Sequence, residues 1–182
     1  MADARTTKTD EAVRNALLEL LGDKRLPDIT MAELARHAHV SRSTLYAHYD
    51  NVYSLFRTLV AEFVAGLRTL NTQLKCSDCK GATPKRPFCM ALRAAGPWQP
   101  LVLAPEFLPT YIDVILEGDG LEGALEPYLE TGVTREQARA LLVFQMTGCY
   151  TTATMLDDIV WESNQCAIDQ FIRGGFAALR QL

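Results

Sequence analysis

The sequence lacks any apolar run long enough to cross a membrane, and it lacks the apolar core of a signal peptide near its start. A membrane-spanning helix needs about 20 consecutive apolar residues. No run among these 182 residues approaches that length. The opening stretch, MADARTTKTDEAVRNALLELL, places acidic side chains before the first apolar patch, unlike a secretory leader. We therefore expect no membrane partner and a cytoplasmic location.

The motifs of common enzymes are equally scarce. The sequence has no Gly-rich phosphate loop, no dinucleotide fingerprint, no Ser/His/Asp pattern and no metal triad. Its three histidines all lie between residues 37 and 48. We therefore expect a protein that is not an enzyme and needs no cofactor. Strand-like alternation is also missing and helix formers dominate throughout, which predicts an all-α fold.

Two short helical patterns, separated by a tight corner, occupy residues 29–55. Thr30 is placed to cap the first helix, and Glu33 stands three residues later, as in a reciprocal capping box. Met31, Leu34 and Ala35 then share one face of that helix. Residues 38–40 are too few for anything but a turn. Two short helices joined in this way are typical of a helix-turn-helix, whose second helix enters the DNA major groove.

The second helix carries the side chains that DNA recognition requires. Ser41 is placed as its cap, and Arg42 is suited to guanine edges or phosphates. Tyr46 and His48 offer hydrogen-bonding tips on flat stems, whereas Leu45 and Tyr49 are expected to point inward. The predicted DNA-binding residues are Thr30, Ser41, Arg42, Ser43, Thr44, Tyr46 and His48.

This segment resembles the DNA-binding region of the TetR/AcrR transcriptional regulators. The residues that carry the resemblance are Ile29, Thr30, Leu34, Ala35, Ala38, Val40, Ser41, Thr44, Tyr46, His48 and Tyr49. It implies a three-helix helix-turn-helix DNA-binding domain at residues 8–68 and a helical effector-binding and dimerisation domain at 69–182. His39 stands where the family usually has Gly in the turn. A left-handed backbone favours Gly, so the resemblance implies that the His39 side chain is accommodated in such a position. Val52 replaces a Lys, so we expect one phosphate contact fewer.

The net charge of the chain is −4, which is unusual for a DNA-binding protein. Residues 1–58 contain eight basic and eight acidic side chains, so the excess negative charge lies in the rest of the chain. A DNA reader needs positive residues on one face rather than a basic total. Arg5 and Lys8, ahead of the predicted first helix, are expected to form an arm that reaches the DNA backbone or minor groove.

The predicted helices follow the apolar spacing. We expect a first helix over residues 9–22, with a buried stripe of Ala12, Ala16, Leu17, Leu20 and Leu21. A longer helix is expected over 51–75, followed by a loop and by short helices that Pro97, Pro100, Pro105 and Pro109 interrupt. Thr134 and Gln137 form a capping box that opens a helix to about residue 157. A last helix is expected over 163–182.

The second domain is expected to provide both dimerisation and effector binding. The resemblance implies a homodimer formed by the last two helices, which carry apolar and small faces. It also implies a small apolar effector of unknown identity. The residues predicted to contact that effector are Met90, Trp98, Phe107, Tyr111, Tyr128, Phe144 and Cys149. The predicted function is a repressor that binds double-stranded DNA at a palindromic operator and is released by the effector.

The cysteines leave alternatives open. Cys76 and Cys79 form a C-x-x-C pair, and Cys89 follows ten residues later. A structural zinc normally takes four protein ligands, so these three are only weak metal candidates and we predict no metal site. Neighbouring basic residues favour a reactive thiolate. A regulator that responds to oxidants or metals through this pair, or one that needs no effector, therefore remains an alternative.

Overall fold

The computed structural model describes residues 4–69 and 88–181, and helices are the only regular elements within these ranges. The all-α prediction is confirmed. The helices are α1 (Ala4–Asp23), α2 (Met31–His37), α3 (Arg42–His48), α4 (Val52–Thr69), α5 (Phe88–Arg93), α6 (Gln99–Leu103), α7 (Phe107–Glu117), α8 (Leu121–Leu129), α9 (Arg135–Met155) and α10 (Asp158–Leu179). Across the described residues, no helix combines the length and apolar character needed to cross a membrane.

The first of two compact units comprises Met1–Phe63 and Gly96–Thr110. Within it, α1 packs against α2 and α6, and α2 packs against α3. The predicted apolar stripe of α1 needs correction, because Val13 and Leu18 are buried while Ala12 and Leu21 are only half-buried. The buried face of α1 covers a wider arc than predicted, because the helix meets two neighbours, α2 and α6.

The prediction of an arm ahead of the first helix was wrong. Helix α1 begins at Ala4, so Arg5 and Lys8 belong to its first two turns. Residues in a continuous helix rise about 1.5 Å each, and they lack the reach of an extended arm. The helix extends to Ala4 because Ala, Arg and Lys are good helix formers.

Aromatic packing completes the first unit. The Phe63 ring lies 5.8 Å from Phe107 and 5.9 Å from Trp98, measured between ring centroids. The Arg14 guanidinium lies 5.7 Å from the Trp98 ring centre and pairs with Glu62 at 2.8 Å. Residues 96–110 therefore pack with the amino-terminal helices. The predicted division at residues 68 and 69 stays a prediction.

The second unit comprises Val64–Ala95 and Tyr111–Leu182, and α9 packs against α5 and α8 at its centre. The capping box of α9 is confirmed: Thr134 Oγ1 accepts from the Gln137 N–H at 3.2 Å, and Gln137 Oε1 accepts from the Thr134 N–H at 2.8 Å. The last helix begins at Asp158 rather than near residue 163, because Asp157 caps it by accepting from the Val160 N–H at 2.9 Å.

Two further predictions about helix ends meet different outcomes. Helix α4 begins at Val52 as expected, but its predicted continuation to residue 75 lies outside the described residues, as do Cys76 and Cys79. Contrary to the prediction, Pro109 does not interrupt a helix. It stands in the first turn of α7, where the missing N–H would have no helical partner.

Candidate nucleic-acid interface

Helix α2 is held at its start by one of the two predicted capping bonds. Thr30 Oγ1 accepts from the Glu33 N–H at 3.2 Å, as expected. The reciprocal half of the capping box is replaced, because the Glu33 carboxylate accepts from Lys24 Nζ at 2.6 Å. That hydrogen bond lowers the pKa of Glu33. Thr30 therefore caps α2, and it is also exposed at the surface.

The turn after α2 has the hydrogen bonds of a Schellman motif. The Val40 N–H bonds to the Ala35 carbonyl at 3.0 Å, and the His39 N–H bonds to the Arg36 carbonyl at 3.3 Å. His39 has φ of 53°, in the left-handed region, and it is the one non-glycine residue with positive φ in the described part of the chain. The left-handed position inferred for His39 is therefore present.

Helix α3 begins with a cluster of hydroxyl groups. Ser41 Oγ accepts from the Thr44 N–H at 3.0 Å, which caps the helix. The same oxygen lies 2.7 Å from Thr44 Oγ1 and 2.9 Å from Ser43 Oγ. Ser41 and Ser43 are exposed, and Thr44 is half-buried. The structure therefore brings three predicted DNA-binding residues together at the start of α3.

The outer face of α3 is polar and its inner face is anchored. Leu45 is 1% exposed and fixes the helix on the unit's core, as predicted. Tyr46 is 55% exposed, and Arg42 is also exposed. Neither Arg42 nor Arg36 forms an ion pair within the part of the chain that the structure describes. These guanidinium groups are available to phosphates or base edges.

The end of α3 is tied to α1 by a residue that the sequence did not indicate. Asp10 Oδ1 lies 3.4 Å from His48 Nδ1. Asp10 also hydrogen-bonds Tyr49, whose pKa is raised by burial first and by the nearby Asp10 and Glu62 charges second. Asp10 precedes Ala12, the first residue of the predicted stripe, and it carried no periodic signal. It holds the predicted DNA-binding His48 at the close of the helix.

A groove of about 510 Å³ runs between α2 and α3. Its lining residues are Thr30, Ala32, Glu33, Ala35, Arg36, Val40 and Arg42. The Glu33 charge is neutralised by Lys24, whereas Arg36 and Arg42 keep theirs. The groove is therefore locally positive, although residues 1–58 are balanced in charge.

Helix α4 begins beside α3 with an Asn cap. Asn51 Oδ1 accepts from the Ser54 N–H at 2.9 Å, and Ser54 Oγ accepts from the Asn51 N–H at 3.2 Å. Val52 is 5% exposed, while its neighbour Tyr53 is 51% exposed. A Lys at position 52 would therefore lay its stem across a buried site and place only its ammonium at the surface.

The predicted effector residues separate into different environments. Trp98 and Phe107 belong to the aromatic core of the first unit, and Phe107 is fully buried. In the second unit, Tyr111 stacks on Phe88 with ring centroids 5.0 Å apart, and Met90 is 37% exposed. None of these four residues lines the apolar groove of the second unit.

The other three predicted effector residues meet in an apolar groove between α9 and α10. Tyr128, Phe144 and Cys149 line this space of about 530 Å³, together with Ile168, Phe171, Ile172 and Phe176 among others. The Tyr128 hydroxyl donates to Gln145 Oε1 at 2.6 Å, forming a buried polar pair beside the groove. Burial raises the pKa of the Cys149 thiol to about 12.

The amino-terminal part of the chain matches the family model of bacterial regulatory proteins, tetR family, over residues 14–59. This range contains all of α2, the turn and α3. A curated relative, the uncharacterized HTH-type transcriptional regulator YxbF of Bacillus subtilis (strain 168), is 40% identical over 55 residues. That stretch covers 30% of this chain but only 14% of the relative.

Among solved structures, one match is the TetR family repressor AlkX from Dietzia sp. strain DQ12-45-1b, described as implicated in biodegradation of n-alkanes. It covers 95% of this chain and 98% of its own chain, at 19% identity and a TM-score of 0.42. A similarity of this degree has no bearing on what the present chain binds.

Capped α2, the Schellman turn and capped α3 with its polar outer face define a helix-turn-helix protein. Residues 14–59 match the tetR family of bacterial regulatory proteins, so the resemblance seen in the sequence is confirmed over this part of the chain.

Proposed function

We propose that this chain is a DNA-binding transcriptional regulator in which α3 enters the major groove. The observation that carries the proposal is the outer face of α3. This face presents Arg42, Ser43 and Tyr46 at the surface while Leu45 anchors the helix from behind. Arg42 supplies bidentate recognition of a guanine edge, and the hydroxyl cluster and Tyr46 bind phosphates. The proposal gives the chain a binding role rather than a catalytic one.

We further propose that the protein is a homodimer formed by α9 and α10. One exposed arc of α10 carries no charged residue. It consists of Ile159, Val160, Ser163, Asn164, Ala167, Gln170, Phe171, Gly174, Gly175, Ala177 and Ala178. At 3.6 residues per turn these positions span roughly 160° of the helix. The four charged residues of α10, Asp158, Glu162, Asp169 and Arg173, lie outside that arc.

Helix α9 exposes a matching uncharged row, with Phe144 at 69% and Met155 at 78% exposure. Large exposed apolar side chains on adjacent helices are typical of an association surface. Small residues such as Gly148, Gly174 and Gly175 permit close approach of a second pair of helices. Two-fold pairing would present two α3 helices to a palindromic operator, about one DNA turn apart.

The proposed sign of regulation is repression, since occupancy of a promoter is sufficient to block transcription. Release by a small, uncharged apolar effector is supported by the groove between α9 and α10. Its lining includes three predicted effector residues and no charged side chain. Phe144 and Phe171 belong both to this groove and to the proposed dimer surface, so the proposed effector site adjoins the proposed interface. An oxidant- or metal-responsive mechanism through Cys76 and Cys79, both outside the described residues, stays an alternative, as does regulation without an effector. We propose a cytoplasmic location, because a transcriptional regulator acts where the DNA is.

Selection of bound fragments from random double-stranded DNA tests the proposal. The wild-type protein should enrich a palindromic sequence, and Arg42→Ala should lose preference at the base that the guanidinium contacts, by about 1–3 kcal/mol. Arg180→Ala removes the same charge from an exposed position in the second unit, and it serves as the control. Recovery of the same sequence by wild type and Arg42→Ala would contradict the assignment of Arg42.

A further inference from the structure

We propose that Arg93 fixes the corner between α9 and α10 and is thereby a positioning residue of the subunit interface. This inference rests on the proposed homodimer. Arg93 lies within one protomer, and the sequence did not single it out. Its contacts explain how the uncharged sides of α9 and α10 keep a fixed relative position before a partner binds.

One guanidinium group contacts four partners around this corner. Arg93 Nη1 donates to the Ala153 carbonyl at 2.8 Å and to the Leu156 carbonyl at 3.0 Å. Arg93 Nη2 pairs with the Asp158 carboxylate. The guanidinium carbon also lies 4.9 Å from the centre of the Trp161 ring. Arg93 thus contacts the end of α9 and the start of α10 at once.

Each contact has a physical basis in the helix ends. The last carbonyls of α9 have no partner within their own helix, and a cation satisfies them while opposing the negative end of the helix dipole. The Asp158 carboxylate lies in the first turn of α10, where the dipole favours an anion. A planar guanidinium holds its N–H donors in fixed directions and lies flat on an indole, whereas an ammonium group has three donors but no plane to stack.

Helix α10 is sparsely buried in its unit. Of its 22 residues, only Trp161 and Asp169 are buried. Trp161 is one of the Arg93 partners. Further along, the Phe176 ring lies 5.1 Å from Tyr128, and Arg173 pairs with Asp169 within α10 itself at 2.9 Å. The Arg93 contacts therefore form a polar link between the start of α10 and the rest of the unit.

Loss of this link should weaken dimerisation through a population effect. A dimer built on α9 and α10 requires α10 to be docked in both protomers, so the apparent Kd rises as the inverse square of the docked fraction. If only about one third of protomers keep α10 docked, the Kd rises about tenfold.

Sedimentation equilibrium of the full chain measures this Kd directly. We expect Arg93→Lys to raise the Kd about tenfold, Arg93→Ala to raise it more, and Asp158→Asn, which removes one partner, to raise it about threefold. Arg135→Gln is the control. Arg135 also forms a bidentate pair between two helices of this unit, with Glu122 at 2.8 and 2.5 Å, but at an exposed site away from the corner. It should leave the Kd within a factor of about two.

Circular dichroism on the same samples separates positioning from folding. A residue that served only general stability would lower the unfolding midpoint without changing the Kd of folded protein. If Arg93→Ala does not fold, Arg93→Lys and Asp158→Asn decide the question. An unchanged Kd in folded variants of a dimeric wild type would overturn the role of Arg93 alone. A monomeric wild type at all concentrations would overturn the proposed dimer, and this inference with it.

Discussion

Replacement of His39 by glycine tests the backbone geometry of the turn that separates α2 from α3. His39 has φ of 53°, and a left-handed backbone costs a residue with a Cβ atom about 1–2 kcal/mol. Glycine removes that strain but adds about 0.4–1 kcal/mol of unfolded-state entropy. We therefore expect His39→Gly to stabilise the protein by about 0.5–1 kcal/mol, which corresponds to an increase of about 1–4 °C in Tm.

Differential scanning calorimetry of three variants provides the assay. His37→Gly is the matched control, since His37 is exposed and ends α2 with a helical backbone; it should lose about 0.5–1 kcal/mol. His39→Ala keeps the left-handed strain and should not gain stability. The reasoning is refuted if His39→Gly lowers the Tm, or if both glycine variants shift it in the same direction.

Three further outcomes follow from the structure. Val52→Lys should steepen the dependence of DNA affinity on salt by about one charge, measured by titration at several salt concentrations, and an unchanged slope would contradict the missing phosphate contact. Ser41→Ala removes the α3 cap and should cost about 1 kcal/mol in urea unfolding, whereas a loss near zero would show that the cap bond contributes little. Iodoacetamide at pH 7.5 should label exposed Cys166 before Cys89 and Cys149, because burial raises the pKa of both buried thiols and keeps them protonated; peptide mapping that found all three labelled equally would contradict this order.

Much of the amino-terminal unit was predictable because its signals are local. The Thr30, Ser41 and Thr134 caps each depend on a side chain three residues or fewer from its partner. The left-handed backbone at His39 followed from the family resemblance, because the family usually has Gly at this position of the turn. Leu45 was assigned inward by helical spacing alone, and it is 1% exposed.

The long-range contacts were not predictable from the sequence. Asp10 reaches His48 and Tyr49 from a distant part of the chain, and Arg93 reaches Ala153 across 60 residues. Periodicity identifies which face of a helix is apolar, but it does not identify the helix that this face meets. The proposed effector residues separated for the same reason, since Phe107 packs with Phe63 while Tyr128 packs with Phe176.

The central claim is that α3 reads DNA as one half of a two-fold dimer, and a mobility-shift titration with the selected operator tests it most directly. An operator with two intact half-sites should bind one dimer, and destroying one half-site should reduce affinity by at least about tenfold, since half of the base contacts are lost. Arg42→Ala should weaken binding to the intact operator by more than it weakens binding to unrelated DNA. Equal binding of wild type to intact, half-site and unrelated DNA, with no effect of Arg42→Ala, would contradict the account.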